Sequence, residues 1–312
     1  MISDTKFTMG WPPRADEPVW LTIGNFDGVH LGHQALIQDL IAKAQVDNSK
    51  SVLINFWPNP KFFFSKTLGS YLSTRAEKIN LLSKLGVNDV VTLPFDHEMA
   101  NLSPECFLDK VLKYFNVVGI VVGENFALGK DRQGTPTFLA KLCAKRGLQF
   151  KVYPPLIIGK EPVSSSRIRA ALATGKVDEA NKLLGRPYAL CSKVVSGEKV
   201  GKSIGVPTAN LEIDIDKFLP RRGVYASIAK LRDSVHQAVT NIGVRPTFGN
   251  QFNVSVETLI LDFDDDIYGE DLRIEFIHWL RPEEKYNHVQ DLIKQIEIDK
   301  TETRRIFENG FE

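Results

Sequence analysis

Apolar positions in the first part of the chain come as short unbroken runs, separated by longer stretches with helical spacing. The run Val19-Trp20-Leu21-Thr22-Ile23, rich in β-branched and aromatic residues, predicts a buried strand. Leu36, Ile37, Leu40, Ile41 and Ala44 then fall on one face of a helix. Ser51-Val52-Leu53-Ile54-Asn55-Phe56 predicts a second strand, ended by Trp57-Pro58-Asn59-Pro60, where two prolines forbid regular structure. Thr74 and Glu77 make a capping box for a helix that stops at Gly86, and residues 89–93 are the next strand. Ser103-Pro104 and Thr135-Pro136 each open a helix with proline in its first turn, with strands following at 119–122 and 148–153. The residues up to Arg14, with Pro12 and Pro13, read as a loose lead-in.

Strands alternating with helices imply βαβ units and a Rossmann-like, doubly wound parallel sheet. Ligands bind such sheets at the carboxyl ends of the strands, so residues 24–33, Asn59 and residues 123–126 should meet there. Val177, Ala180, Leu183 and Leu184 form a last helix face, and Gly185-Arg186-Pro187 closes it. This places a boundary near Arg186 and divides the chain into an α/β domain, 1–185, and a β domain, 186–312. From 190 to 280 the helical period is gone. Short β-rich runs at 190–195, 224–230, 237–242, 254–261 and 272–280 predict a small antiparallel barrel. Val289, Leu292, Ile293 and Ile296 restore helical spacing and predict a terminal helix packed on that barrel.

A net charge of +1 gives no general reason to expect nucleic-acid binding. No apolar run approaches the ~18 residues that a membrane-spanning helix needs, and the start lacks the apolar core of a secretory signal. Cys106, Cys143 and Cys191 are too few and scattered for a disulfide framework, which fits a reducing cytoplasm. Nothing in the pattern sets an oligomeric state.

Three segments carry candidate chemistry. Gly24, Gly28 and Gly32 lie between a strand and a helix, where close backbone approach and free N–H groups favour a phosphate, and His30 and His33 lie one turn apart at the helix start. Spacing alone also admits an ordinary glycine-rich turn, and a metal reading of the two histidines lacks a third ligand nearby. Ser164, Ser165 and Ser166 can cap a helix while offering hydroxyls to an anion, with Arg169 a turn beyond; a plain N-cap fits as well. In Gly201-Lys202-Ser203-Ile204-Gly205-Val206-Pro207-Thr208-Ala209-Asn210, Thr208 and Asn210 offer neutral oxygens of the kind Mg²⁺ takes alongside nucleotide phosphates, although a polar turn entering a strand reads the same way.

The wording of Gly24-Asn25-Phe26-Asp27-Gly28-Val29-His30-Leu31-Gly32-His33 resembles the HxGH signature of the nucleotidyltransferase superfamily, and in its flanks the FAD synthetase branch. The resemblance implies that Gly24, Asn25, Phe26, Asp27, Gly28 and Gly32 surround ATP, while His30 and His33 support the charge that develops at its α-phosphorus. Val163-Ser164-Ser165-Ser166-Arg167-Ile168-Arg169 is similar to the superfamily's ISSTxxR motif, implying that Ser165, Ser166 and Arg169 grip the β- and γ-phosphates, with serine in place of threonine. Asn59 stands where the related enzymes carry histidine. Gly123-Glu124-Asn125-Phe126-Ala127-Leu128-Gly129 resembles their G-x-D-F-x-F-G segment with Asn125 for the acid and Leu128 for the ring, and Asn59, Asn125 and Phe126 are the implied flavin contacts.

The segment 201–210 closely resembles the G-x-P-T-A-N motif of riboflavin kinases. That assigns Gly201, Lys202, Gly205 and Pro207 to ATP, and Thr208 and Asn210 to its magnesium. Arg222-Gly223-Val224-Tyr225, Asn241-Ile242-Gly243-Val244-Arg245-Pro246-Thr247-Phe248 and Leu280-Arg281-Pro282-Glu283 extend the match, with Arg281 and Glu283 implied at the flavin. Glu257 falls at the position of the general base, though a strand glutamate can equally face outward. The chain is thus identified as a member of the prokaryotic bifunctional riboflavin kinases/FAD synthetases. Membership implies ATP- and Mg²⁺-dependent conversion of riboflavin to FMN by the barrel, and of FMN to FAD and pyrophosphate by the first domain. The alternative is a kinase whose first domain adenylylates another phosphorylated substrate, or only senses nucleotide or flavin.

Overall fold

A computed structural model of the chain describes residues 5–65, 70–196, 206–246 and 252–310. It divides into two compact units, Met1–Ser165 and Ser166–Glu312. The division falls ahead of the boundary expected near Arg186, because the helix before that boundary lies on the barrel. There Asn181 Nδ2 donates to the Phe276 carbonyl, and the Tyr188 N–H donates to Asn181 Oδ1.

The first unit is a wholly parallel six-stranded sheet in the order β1-β4-β3-β2-β5-β6. Its strands are β1 (Lys6–Met9), β2 (Ala15–Ile23), β3 (Lys50–Trp57), β4 (Asp89–Pro94), β5 (Phe115–Gly123) and β6 (Gln149–Tyr153). Helices α1 (Leu31–Val46), α2 (Pro60–Ser65), α3 (Arg75–Ser83), α4 (His97–Ala100), α5 (Pro104–Tyr114) and α6 (Pro136–Lys145) lie between them. A two-residue ribbon, β7 (Ile157–Ile158) with β8 (Glu161–Pro162), follows. The central strands read as continuous apolar runs because helices cover both faces of a parallel sheet. Leu21, Leu53, Ile54 and Val121 are fully buried. Thr74 makes the full capping box with Glu77, and Ser103 and Thr135 cap helices with proline in the first turn.

Two expectations change here. The lead-in is not loose throughout: Lys6–Met9 pairs with β4 as an edge strand, too short and too exposed on alternate sides to leave a hydrophobic signature. Pro60 does not end regular structure but opens α2, since the first turn of a helix has no use for its missing N–H.

Strand order reverses around β2, with β3 on one side and β5 on the other. The crevice at that switch point, beyond the strand carboxyl ends, is where such sheets bind ligands.

Helix α7 (Ser165–Ala173) begins on the last residue of the first unit and otherwise belongs to the second, followed there by α8 (Val177–Leu184), which Gly185 closes at φ 69°. Six strands then form a closed barrel in the order β10-β13-β12-β11-β14-β9. They are β9 (Tyr188–Val195), β10 (Ala209–Leu211), β11 (Gly223–Leu231), β12 (Ser234–Pro246), β13 (Phe252–Ile260) and β14 (Asp271–Arg281), all pairing antiparallel. Tyr225 and Phe276 fill the interior edge-to-face at 5.2 Å. Among them runs a buried hydroxyl chain, Ser227 to Thr240 at 2.7 Å and Thr240 to Thr258 at 3.0 Å. The short β10, with only three residues, was not expected from the pattern.

The terminal helix α9 (Val289–Glu308) is held differently from the expectation. Val289 is 55% exposed, and the buried positions are polar, Asp299 and Thr303. Arg281 of β14 forks onto Asp299, with Nε 2.9 Å from Oδ1 and one Nη 2.8 Å from Oδ2. A buried two-point ion pair with good geometry, joined by Gln295 at 3.1 Å, ties the helix to the barrel.

Candidate active sites

At the carboxyl end of β2 the chain turns sharply into α1. Phe26, Gly28 and Val29 all take positive φ, at 47°, 80° and 40°. For the two non-glycine residues this costs roughly 1–3 kcal/mol each and persists only where surrounding contacts over-determine the loop. They do. The Asp27 carboxylate accepts the N–H groups of Leu72 and Ser73 at 3.3 and 3.2 Å, and the Gly28 N–H donates to Ser73 Oγ at 3.1 Å. Ser165 Oγ donates to the Asp27 carbonyl at 2.9 Å, which joins the first motif to the start of the second.

His30 is the N-cap of α1: its Nδ1 accepts the N–H of His33 at 3.3 Å. An accepting Nδ1 leaves the ring proton of the neutral imidazole on Nε2, so the outer edge of His30 is a donor. The two imidazoles stack with centroids 3.6 Å apart, and Phe26 meets His33 edge-on at 5.2 Å. Gly32 leaves the space: a Cβ there would lie 3.3 Å from the His30 ring. Two histidine edges and a helix N-terminus together make a donor-rich end suited to phosphate charge.

Beside this end lies a cavity of about 590 Å³ lined by Gly24, Asn25, Asn125, Phe126 and Leu128, with apolar walls from Phe56, Phe95 and Phe107. Of the expected flavin contacts, Asn125 and Phe126 line it. Asn59 does not. It is 5% exposed, its Oδ1 accepts the Lys61 N–H at 3.0 Å, and its own N–H donates to the Tyr71 hydroxyl, so it holds the entry to α2. Ser166 and Arg169 stand on α7, the first exposed and the second half-buried.

Lys78 was not expected. It is 4% exposed, and its Nζ donates to the Asn25 carbonyl at 3.0 Å while lying 5.7 Å from the Trp57 ring centre. Burial, opposed by the Asp27 carboxylate, pushes its ammonium below the ordinary lysine value. Between that lowered value and the ordinary one the unfolded chain holds the extra proton, so this group makes stability rise with pH across the window. Lys78→Met removes the term. As pH rises toward the ordinary lysine value, the urea midpoint should therefore gain less in the variant than in the parent; equal changes would refute the assignment.

In the second unit, strand register brings the candidate residues into one row. Asn210 of β10 pairs with Glu257 of β13, Glu257 with Asn241 of β12, Asn241 with Val224 of β11, and Val224 with Arg281 of β14. Residues directly opposite in antiparallel strands point to the same side of the sheet. Every member of the row but Asn210 lines a cavity of about 230 Å³, which Thr208 and Glu283 also line and Leu292 and Ile296 of α9 close. A second cavity, of about 160 Å³, is lined by Pro207, Thr208, Thr258, Tyr268 and the acidic run Asp264-Asp265-Asp266. Thr208 borders both. Gly243 keeps room for Glu283, whose carboxylate would collide with a Cβ at that position. Gly201, Lys202 and Gly205 lie outside the described residues.

No cluster of three or more His, Cys, Asp or Glu side chains able to hold a metal occurs among the described residues. The oxygens of Thr208 and Asn210, beside the Glu257 carboxylate, instead suit a hard cation that arrives with phosphates.

The FAD synthetase family model matches residues 13–167, and the riboflavin kinase family model matches residues 184–307. A bifunctional riboflavin kinase/FMN adenylyltransferase of Listeria monocytogenes is 35% identical over 289 residues, which cover 92% of this chain and 92% of that protein. The chain belongs to the bifunctional riboflavin kinase/FMN adenylyltransferase family. Its counterpart in Bacillus subtilis is 35% identical over 93% of this chain, and that of Escherichia coli K12 is 33% identical over 92%. A solved Streptococcus pneumoniae protein described as a macrolide-efflux protein shares the fold of both units, with a TM-score of 0.87 and 29% identity over 97% of this chain and 99% of that one. Among the described residues here, no helix is long and apolar enough to cross a membrane.

Of the motif residues, Gly24, Asn25, Asn125 and Phe126 line the cavity of the first unit, and Pro207, Thr208, Glu257, Arg281 and Glu283 line those of the second. Sequence reading missed Lys78, Asn241 and Asp299. A lysine one turn after a capping threonine, and an aspartate on the inner side of a helix, are the only sequence signals for two of them. Asn241 was quoted within a motif and given no role.

Proposed function

We propose that the two family reactions run at separate sites of this chain, each built from its own motif. In the barrel, the Glu257 carboxylate takes the proton of the riboflavin 5′-hydroxyl. The hydroxyl oxygen bonds to the γ-phosphorus of ATP, the bond to the bridging oxygen breaks, and ADP leaves. Thr208 and Asn210 would hold Mg²⁺, which when bound neutralises phosphate charge and aligns the groups. The observation that carries this reading is the placement of Thr208 on both barrel cavities, with Asn210 and Glu257 paired beside it. A nucleotide in one cavity and a hydroxyl acceptor in the other would meet at that threonine.

In the first unit, a phosphate oxygen of FMN attacks the α-phosphorus of a second ATP and pyrophosphate departs. His30 and His33 donate to the charge that develops, and Ser165 engages the departing phosphates. The flavin ring occupies the aromatic cavity lined by Asn125 and Phe126. The three cysteines, all free thiols, suit a reducing cytoplasm.

Labelled ATP separates the two steps. With riboflavin as acceptor, label at the γ-phosphate should enter FMN and persist in FAD, while label at the α-phosphate should enter FAD alone. Chelation of Mg²⁺ should stop both transfers. Label from the γ-position in FMN, with none from the α-position in any flavin, would overturn the adenylyltransferase half. Transfer that survives chelation would overturn the metal assignment.

A further inference from the structure

The wall of the barrel cavity contains one polar atom with no assigned use. Asn241 Oδ1 is buried and has no hydrogen-bond partner among the described residues. It belongs to a residue lining the cavity, directly beside Glu257 in the ladder. Nδ2 lies 3.0 Å from where a Gly243 Cβ would sit, the same spot that the Glu283 carboxylate approaches. An amide faces a carboxylate with its N–H₂ end, which turns Oδ1 elsewhere.

An acceptor buried without a donor is costly, and native proteins seldom tolerate one that serves nothing. The other groups around it narrow what could satisfy it. Glu257, Glu283 and Glu284 on the same wall are acceptors when ionised, and the Arg281 guanidinium is committed to Asp299. Apart from the hydroxyls of Thr208 and Tyr286, the latter donating to Glu284, the cavity presents these acceptors to whatever enters, so an occupant that satisfies them must bring donors. A chain of hydroxyl groups does this without adding charge. We infer that Asn241 is a positioning residue for the kinase step, its Oδ1 accepting a hydrogen bond from a hydroxyl of the substrate's ribityl chain and so holding the terminal hydroxyl at the neighbouring Glu257. The inference rests on the kinase reading of the barrel and adds to it a residue that specifies the polyol rather than the ring.

Asn241→Leu keeps roughly the side-chain volume and removes the acceptor. Its affinity for riboflavin, read by quenching of flavin fluorescence, should fall roughly ten- to hundred-fold. Affinity for lumiflavin, which has the ring and a methyl group in place of the ribityl chain, should be unchanged. Conversion of FMN to FAD by the same preparation reports that the chain is folded. Equal losses for riboflavin and lumiflavin would mean that Asn241 merely shapes the wall, and unchanged riboflavin affinity would refute any role. Flavins lacking the 2′-, 3′- or 4′-hydroxyl of the ribityl chain, one at a time, supply a second test that needs only the parent protein. One of them should be phosphorylated with a clearly lower kcat/KM than riboflavin, and none so affected would overturn the proposal. If the parent formed no FMN at all, the kinase reading itself would fail, which is a distinct outcome.

Discussion

Glu257→Gln is expected to lower FMN formation by about 10²–10⁴-fold, the usual contribution of a positioned general base. The amide keeps the size of the side chain and its place in the row between Asn210 and Asn241. It cannot take a proton. The loss should therefore fall on kcat more than on KM for riboflavin, because the ground-state contacts survive. Conversion of supplied FMN to FAD should proceed at the parent rate, since none of the residues assigned to adenylyl transfer belongs to the barrel. Replacing Asn210 by Ala should likewise suppress FMN formation, with a loss that excess Mg²⁺ partly offsets if the residue holds the ion. A folded Glu257→Gln protein that still makes FMN normally would remove the carboxylate from the mechanism.

The second large effect is expected at the histidine pair. His30 caps α1, and the proposed reading gives it a second duty, presenting its outer edge to phosphate; the substitution has to separate the two. Asparagine is among the best N-cap residues, so His30→Asn retains a cap while deleting the imidazole. Alanine deletes both and adds a helix-stability loss of about 1 kcal/mol. Both variants, and His33→Asn, should lose roughly 10²–10³-fold in FMN-to-FAD conversion, the effect of removing one donor from a charge-stabilising site. Thermal stability should drop in His30→Ala and stay close to the parent in His30→Asn. If His30→Asn restored transfer along with stability, capping alone would explain the residue.

The parts of the fold legible in the sequence were those where a single physical demand governs each position. β2, β3 and β5 lie between layers of helices, so both faces must be apolar and the runs stand out. α8 shows Val177, Ala180, Leu183 and Leu184 all buried, as their spacing requires. What escaped obeyed mixed demands. β1 is a four-residue edge, and β10 is three residues inside a motif chosen for chemistry. In α9 the apolar spacing was real, but the deepest contact is the ion pair of Arg281 with Asp299, which hydrophobicity cannot signal.

For the site, motif wording pointed to His30, His33, Thr208, Asn210 and Glu257. It could not reveal that Asp27 spends its carboxylate on the 72–73 backbone, or that Asn59 holds the start of α2. Those uses depend on segments distant in sequence. Lys78 and Asn241 became visible only once burial and register placed them beside Asn25 and Glu257.

The central claim is that one chain makes FMN from riboflavin and FAD from FMN. Chromatography of the flavins after incubation with ATP and Mg²⁺, starting in parallel from riboflavin and from FMN, tests it most directly. FAD should form in both reactions, with FMN preceding it in the first. FMN accumulating from riboflavin, with no FAD from either start, would contradict the claim and leave a kinase whose first unit acts on something else.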